Sequence, residues 1–296
     1  MPLFTSPHAA DGEWLRGNLH SHTTNSDGTR PAEEVIGDYE SRGYDFLAIS
    51  DHDFLTDPTP YRANTSLLLL PGVEVSARGP HVLHIGATAL IEPDENRQTV
   101  LDNIAAQDAL GILNHPNWGR NFNHFPHERM EALEGYVGIE IYNGVIERLE
   151  GAPLATDRWD RLLSKGRRVW GFGNDDAHAP VDFELAWNVV RVTERTPEAI
   201  IAALRTGNFY ASTGVEITDI TVQDGVFRVV TTNANRIRFF TQHGVCRQTT
   251  DGTAAEYILP TTDDGAKRLL YVRAECYGTG GRMAWTQPAF AEVETA

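Results

Sequence analysis

Residues 17–53, GNLHSHTTNSDGTRPAEEVIGDYESRGYDFLAISDHD, read as one strand–helix–strand unit with ionisable residues at both strand ends. The first strand runs out at His20 and His22, which face the same way on an extended chain. The segment RPAEEVIGDYESRG reads as a helix. Thr29 is placed to cap it, Pro31 suits its first turn, Glu33 and Glu34 complement its positive end, and Gly43 stops it. The apolar run YDFLAIS is a buried strand, and it delivers Asp51 and His52.

The same alternation continues outward. Strands are expected at SLLLLPGVE, HVLHIGA, GILNHP, GIEIYN, RVWGFGND and LAWNVVRV. Helical patterns fall at ENRQTVLDNIAAQDAL, LATDRWDRLLSKG and TPEAIIAALRTG. Strands alternating with helices predict a parallel α/β sheet covered by helices. After Thr213 the period becomes two and turn signals recur, which predicts a small antiparallel β-domain. The expected division is residues 1–212 and 213–296.

Composition bounds the function. The 296 residues are 41% hydrophobic and 22% charged, enough apolar material for a packed core. A net charge of −16 with no basic run argues against a nucleic-acid platform. The two cysteines, Cys246 and Cys276, match no zinc spacing and read as free thiols. No signal peptide or membrane span is evident, so the expected setting is cytoplasmic, with a small-molecule substrate and room for a homo-oligomer.

In parallel α/β folds functional groups gather at the carboxyl ends of strands. Here those ends carry His20, His22, Asp51, His52, Glu74, His84, His115, Asp175, Asp176 and His178. Six of the eleven histidines fall there although strand interiors are apolar. So many imidazoles and carboxylates converging without cations would be costly to desolvate. Histidine with carboxylate suits Zn, Mn or Fe, and the number of candidates suggests two or three divalent ions. His81 and His84 alternate on one strand, so only one of them can face the centre from it.

The ordered motifs NLHSHTTNSDGT, FLAISDHD, PGVEVS, LNHP and DDAH resemble those of the PHP (polymerase and histidinol phosphatase) superfamily, over roughly residues 14–212. Within it, WLRGNLHSHTTNSDG and ALRTGNFYASTGVEITDI are similar to the carbaryl-hydrolase-like branch, where a small β-domain follows. The resemblance implies a distorted (β/α)7 TIM-like barrel holding two or three metals. It assigns His20, His22, Glu74 and Asp176 to the first ion, with Glu74 bridging. Asp27, His52 and His178 go to the second, and His84 and His115 join Glu74 at the third. His81 stays as the rival of His84.

A water shared by two such cations loses its proton near neutral pH and can attack phosphorus, so the first reading is a phosphoesterase of small mono- or diesters. The alternative is a hydrolase of a carbamate, amide or carboxylic ester. Asp53, His81 and Asp175 are the candidate proton donors, and Arg78, Arg120 and Arg148 the candidate phosphate contacts. Glu140 reads equally as a group supporting the centre or as a partner to a cation elsewhere. Asp51 is read as orienting an imidazole. The loop of residues 117–129 reads equally as a pocket wall over the metals or as a surface excursion, and its His124 and His127 are read as surface residues.

Overall fold

The computed structural model describes residues 4–8, 11–260 and 269–292. The first part contains β1 (Phe4–Thr5), β2 (Glu13–Asn18), α1 (Ala32–Ser41), β3 (Phe46–Ile49), β4 (Leu68–Val75) and β5 (Val82–Ile85). It continues with α2 (Arg97–Ala105), β6 (Leu110–Leu113), α3 (His127–Ala132), β7 (Gly138–Asn143) and α4 (Thr156–Ser164). It ends with β8 (Trp170–Asn174), β9 (Trp187–Val192), α5 (Pro197–Thr206) and β10 (Phe209–Ser212). The remainder is β11 (Ile217–Gln223), β12 (Val226–Thr231), β13 (Ala234–Thr241), β14 (Val245–Asp251), β15 (Ala254–Ile258), β16 (Tyr271–Gly278), β17 (Met283–Thr286) and β18 (Ala289–Ala291).

Strands β2 to β8 lie side by side in sequence order. The pairs β2–β3, β3–β4, β6–β7 and β7–β8 are parallel, as expected. The departure is β5, which is antiparallel to both β4 and β6. Only six residues separate β4 from β5, far too few for the crossover that a parallel pair needs, so the chain turns back as a hairpin. The ligand-bearing end of the sheet therefore meets the start of β5, not its finish.

Beyond β8 the free edge is closed by side chains. The Asn188 amide on β9 bonds both N–H and C=O of Gly173, and Gln287 does the same at Gly171. Past the strand ends, Ser21 and Ala177 form a parallel bridge, with the His22 N–H donating to the Ala177 carbonyl at 2.9 Å. Inward side chains such as Leu15, Phe46, Leu70, Leu83, Ile112 and Phe172 fill the space between strands, joined by Ile200 and Leu204 of α5. A second apolar layer packs α2, α3 and α4 against the outer face, and a third seats α1.

Helix α1 starts at Ala32 with Pro31 at the cap position and no side-chain cap. Thr29 instead donates its hydroxyl to the His178 carbonyl at 3.0 Å, tying the opening loop to a candidate ligand. Gly43 has φ of 73°, as the helix stop requires.

The tail is antiparallel, as its period predicts. Sheet β11–β12–β15 packs on strands β13, β16 and β17 through Ile217, Phe227, Val229, Phe239, Ala274 and Cys276. The sheet does not stop at residue 212, because β10 pairs with both β9 and β17. Buried Arg273 on β16 chelates Asp160 of α4 at 2.7–2.8 Å and pairs with Glu275 at 2.7 Å, fixing the tail against the helical layer. Cys246 and Cys276 are free thiols. Among the described residues no helix is long and apolar enough to cross a membrane.

Candidate metal centre

The site sits where β2, β3, β4 and β8 run out and β5 begins. Glu74 and Asp176 are its buried carboxylates. His20 Nε2 lies 3.3 Å from Glu74 Oε2 and 3.2 Å from Asp176 Oδ1. His22 Nε2 lies 3.1 Å from Asp176 Oδ1 and 3.6 Å from Glu74 Oε2. To one side, Asp27 stands 3.3 Å from His178, 3.6 Å from His52 and 3.7 Å from His22. To the other, His81 Nδ1 and His115 Nε2 each lie 3.1 Å from Glu74 Oε1. His52 Nδ1 is 2.9 Å from Glu74 Oε2, so Glu74 touches all three groups.

These donors suit cations. His20 Nε2, His52 Nδ1 and Glu74 Oε2 are buried and close together, yet none of the three makes a hydrogen bond. Buried polar atoms are nearly always paired, and a nitrogen lone pair facing a carboxylate oxygen is stabilised by a metal ion between them. Several groups of three or four His, Asp and Glu have donor atoms close enough to share one ion.

The ligand orientations are fixed from behind. Glu140 on β7 accepts from His20 Nδ1 at 2.8 Å, which leaves the His20 Nε2 lone pair facing the carboxylates. The same carboxylate takes the His115 N–H at 2.8 Å and the amides of Asn143 and Asn174 at 2.9 and 2.8 Å. Asn114 donates to Glu74 Oε1 at 2.6 Å. The sequence left the role of Glu140 open; its place on β7, next to the centre, decides it.

Charge follows the geometry. Without a cation between them, burial opposes a proton on His20 but Asp176, Glu74 and Glu140 outweigh it and raise its pKa well above the ordinary value; a bound cation would take that proton's place. Burial likewise opposes charge on Glu74 and Asp176, and the surrounding histidines, His20 foremost, hold both well below the usual range. The His178 hydrogen bond takes Asp27 down to about 2.

Of His81 and His84, it is His81 that the structure brings to Glu74. The reversed β5 puts His81 at the ligand end and turns His84 outward. His84 pairs in register with Val73 and Gly111, and a Cβ on Gly111 would meet Leu101 and Ile104 of α2. His84 is thus buried under α2, with neither ring nitrogen partnered, and burial lowers its pKa to about 4.

Two of the proton-donor candidates are engaged elsewhere. Asp53 accepts from Ser76 N, Ser76 Oγ and Ala77 N at 2.8–2.9 Å, so its carboxylate anchors the β4–β5 turn. Asp175 accepts the N–H groups of Glu184, Leu185 and Ala186 and the Tyr39 hydroxyl, and burial pushes it up to about 7 against those bonds. Asp51, read as orienting an imidazole, instead receives Thr23, Ser26 and Thr56 and braces the His22–Asp27 loop.

Of the three arginines, only Arg148 lines the cavity beside the centre. Asp182 grips it at 2.6 and 2.8 Å, and also accepts the N–H groups of His178 and Ala179. Arg120 is exposed beside Glu150, and Arg78, at φ of 69°, is exposed on the β4–β5 turn.

His124 was missed as a neighbour of the site. Its Nε2 accepts the His81 N–H at 3.0 Å, and its ring lies 4.5 and 4.7 Å from those of His81 and His115. Nothing in the sequence periodicity signals this, because a loop brings it there. His127 is buried at the start of α3 and pairs with Glu131 at 2.9 Å, away from the centre.

No protein-family model and no curated protein matches the sequence. Among solved structures, the chain is similar to a two-domain protein from Bacteroides vulgatus containing a predicted PHP-like metal-dependent phosphoesterase. The likeness covers 99% of this chain and 91% of that one, with 16% identity and a TM-score of 0.54. The two share a fold. Two further likenesses are partial. PsfC from Pseudomonas syringae matches 65% of this chain and 90% of its own at 13% identity and TM-score 0.49. The lesion-specific endonuclease PfuEndoQ from Pyrococcus furiosus matches 65% and 56% at 15% and 0.43.

Proposed function

We propose that the protein is a metal-dependent phosphoesterase of the PHP superfamily, acting on a small phosphomonoester or diester. The observation that carries this is the knot of unpartnered donors around Glu74. The whole-chain likeness to a protein described as containing a PHP-like phosphoesterase supports it. In this reading β2 to β8 form the distorted seven-stranded barrel, the Ser21–Ala177 bridge closes its ligand end, and residues 213–296 form the accessory β-domain.

His20, His22, Glu74 and Asp176 would hold the first ion, Asp27, His52 and His178 the second, and Glu74, His81 and His115 would hold a third. Bound there, divalent cations supply Lewis acidity and make a water acidic enough to act as nucleophile near neutral pH. The chain's own contribution is positioning. Glu140 fixes His20 and the His115 backbone, so the ligand atoms need little reorganisation. Arg148, locked by Asp182, presents its remaining N–H groups to a phosphoryl oxygen.

The test is turnover by Mn- or Zn-loaded protein of 4-nitrophenyl phosphate, bis(4-nitrophenyl) phosphate and 4-nitrophenyl acetate, with an aryl carbamate alongside. Phosphoester turnover abolished by Asp176→Ala is the expected result. Carbamate or ester turnover with none on phosphoesters overturns it in favour of attack at carbon.

A further inference from the structure

The cavity over the centre has two unlike halves. Its volume is about 280 Å³, at the small end of small-molecule sites, which run from ~300 to 1,000 Å³. One half is the ligand cluster. The other is apolar, built from Trp118, Val145, Ile146 and Leu149, with Arg148 as the one arginine or lysine among the described lining residues. Beyond the ligand cluster, the polar groups among the described lining residues are Arg148 and the indole N–H of Trp118.

The apolar half is preformed. Trp118 packs edge-on against His115, with ring centroids 5.1 Å apart. Its loop is sewn to the segment after β7 by Gly119 N–H to Glu150 O at 2.8 Å and Ala152 N–H to Asn117 O at 3.1 Å. Val145 N–H donates to Asp175 O at 2.9 Å, fixing the turn that carries Val145, Ile146 and Arg148. A rigid apolar wall next to a single arginine selects for one anionic group and one compact apolar group.

We infer that the substrate is an ester carrying a single phosphoryl group on an apolar, aryl-sized alcohol, with the ring held by Trp118, Ile146 and Leu149 and the phosphoryl group by the centre and Arg148. Sugar, polyol and nucleoside phosphates are disfavoured, because that wall offers their several hydroxyls only the Trp118 indole N–H. This rests on the phosphoesterase reading and narrows it.

Binding of two unreactive probes tests it on the Mn-loaded protein by calorimetry. Phenylphosphonate should bind at least about tenfold tighter than methylphosphonate, because only its ring removes apolar surface from water at the wall. Leu149→Asn, at a half-exposed position that tolerates polarity, should cut that preference to within about threefold. Trp118→Ala should do the same. Equal binding of the two probes, or a preference that survives both substitutions, overturns the inference and leaves the phosphoesterase reading standing. Failure of both probes to bind overturns the phosphoesterase reading itself, and this inference with it.

Discussion

Replacing His84 by leucine should stabilise the protein, and most strongly in acid. His84 is fully buried between Val73 and Gly111, with two unpartnered ring nitrogens. An unpaired buried polar group costs about 1–3 kcal/mol, and leucine fills a similar space without it. A gain of about 1–2 kcal/mol is therefore expected at pH 8. Burial lowers the His84 pKa from 6.5 to about 4. Between those values the unfolded chain binds the proton and the folded chain does not, so wild-type stability drains away as pH falls. By pH 4 this amounts to about 3 kcal/mol that the leucine variant never loses. Urea denaturation of chelator-treated wild type and His84→Leu at pH 8, 6 and 5, followed by far-UV circular dichroism, measures the gap. It should be positive at pH 8 and widen steadily below pH 6. A variant that is less stable, or a gap that does not change with pH, refutes the placement of His84 in a dry apolar layer. Loss of a metal equivalent in His84→Leu, with none in His81→Ala, refutes the choice between the two histidines.

Glu140→Gln keeps the shape but weakens the acceptor facing His20 and the His115 N–H. Metal affinity by equilibrium dialysis should fall about 10–100-fold, and the thermal midpoint should fall as well, because the amide NH2 replaces an oxygen that accepts two N–H groups. Arg97 is buried and its guanidinium donates to the carbonyls of Ser76, Ala77, Pro80 and Asp94, clamping the turn before His81. Arg97→Ala should cost at least about 3 kcal/mol in chemical denaturation, since several carbonyls lose a charged donor together. Asp182→Asn removes the charge that holds Arg148 in its fork. Phosphoester KM should rise about tenfold, with kcat much less affected, in steady-state kinetics.

Much of this molecule is written locally. Most strands and helices appear where period, apolar runs and stop signals place them, from α1 ending before Gly43 to the period-two tail that forms the β11–β12–β15 layer, while α3 lies in a stretch that reads as a polar loop. The cluster at the strand ends was legible for the same reason. His20, His22, His52, Glu74, Asp176 and His178 each follow an apolar run directly, so strand direction alone sends them to one place. What followed was decided by packing. Whether β5 runs with or against its neighbours depends on a six-residue turn and its partners, and that choice sends His81 to the centre and His84 beneath α2. Asp51, Asp53 and Asp175 have the composition of catalytic groups, and only the backbone donors that surround them show that they hold loops. Glu140 meets His20 across 120 residues of chain and His124 meets His81 across 43, by the lateral order of strands and the fold of a loop. Side-chain chemistry and strand polarity are properties of short segments and can be read one segment at a time. Register, loop path and the pairing of each buried polar atom are settled between segments distant in the chain, so only the folded structure records them.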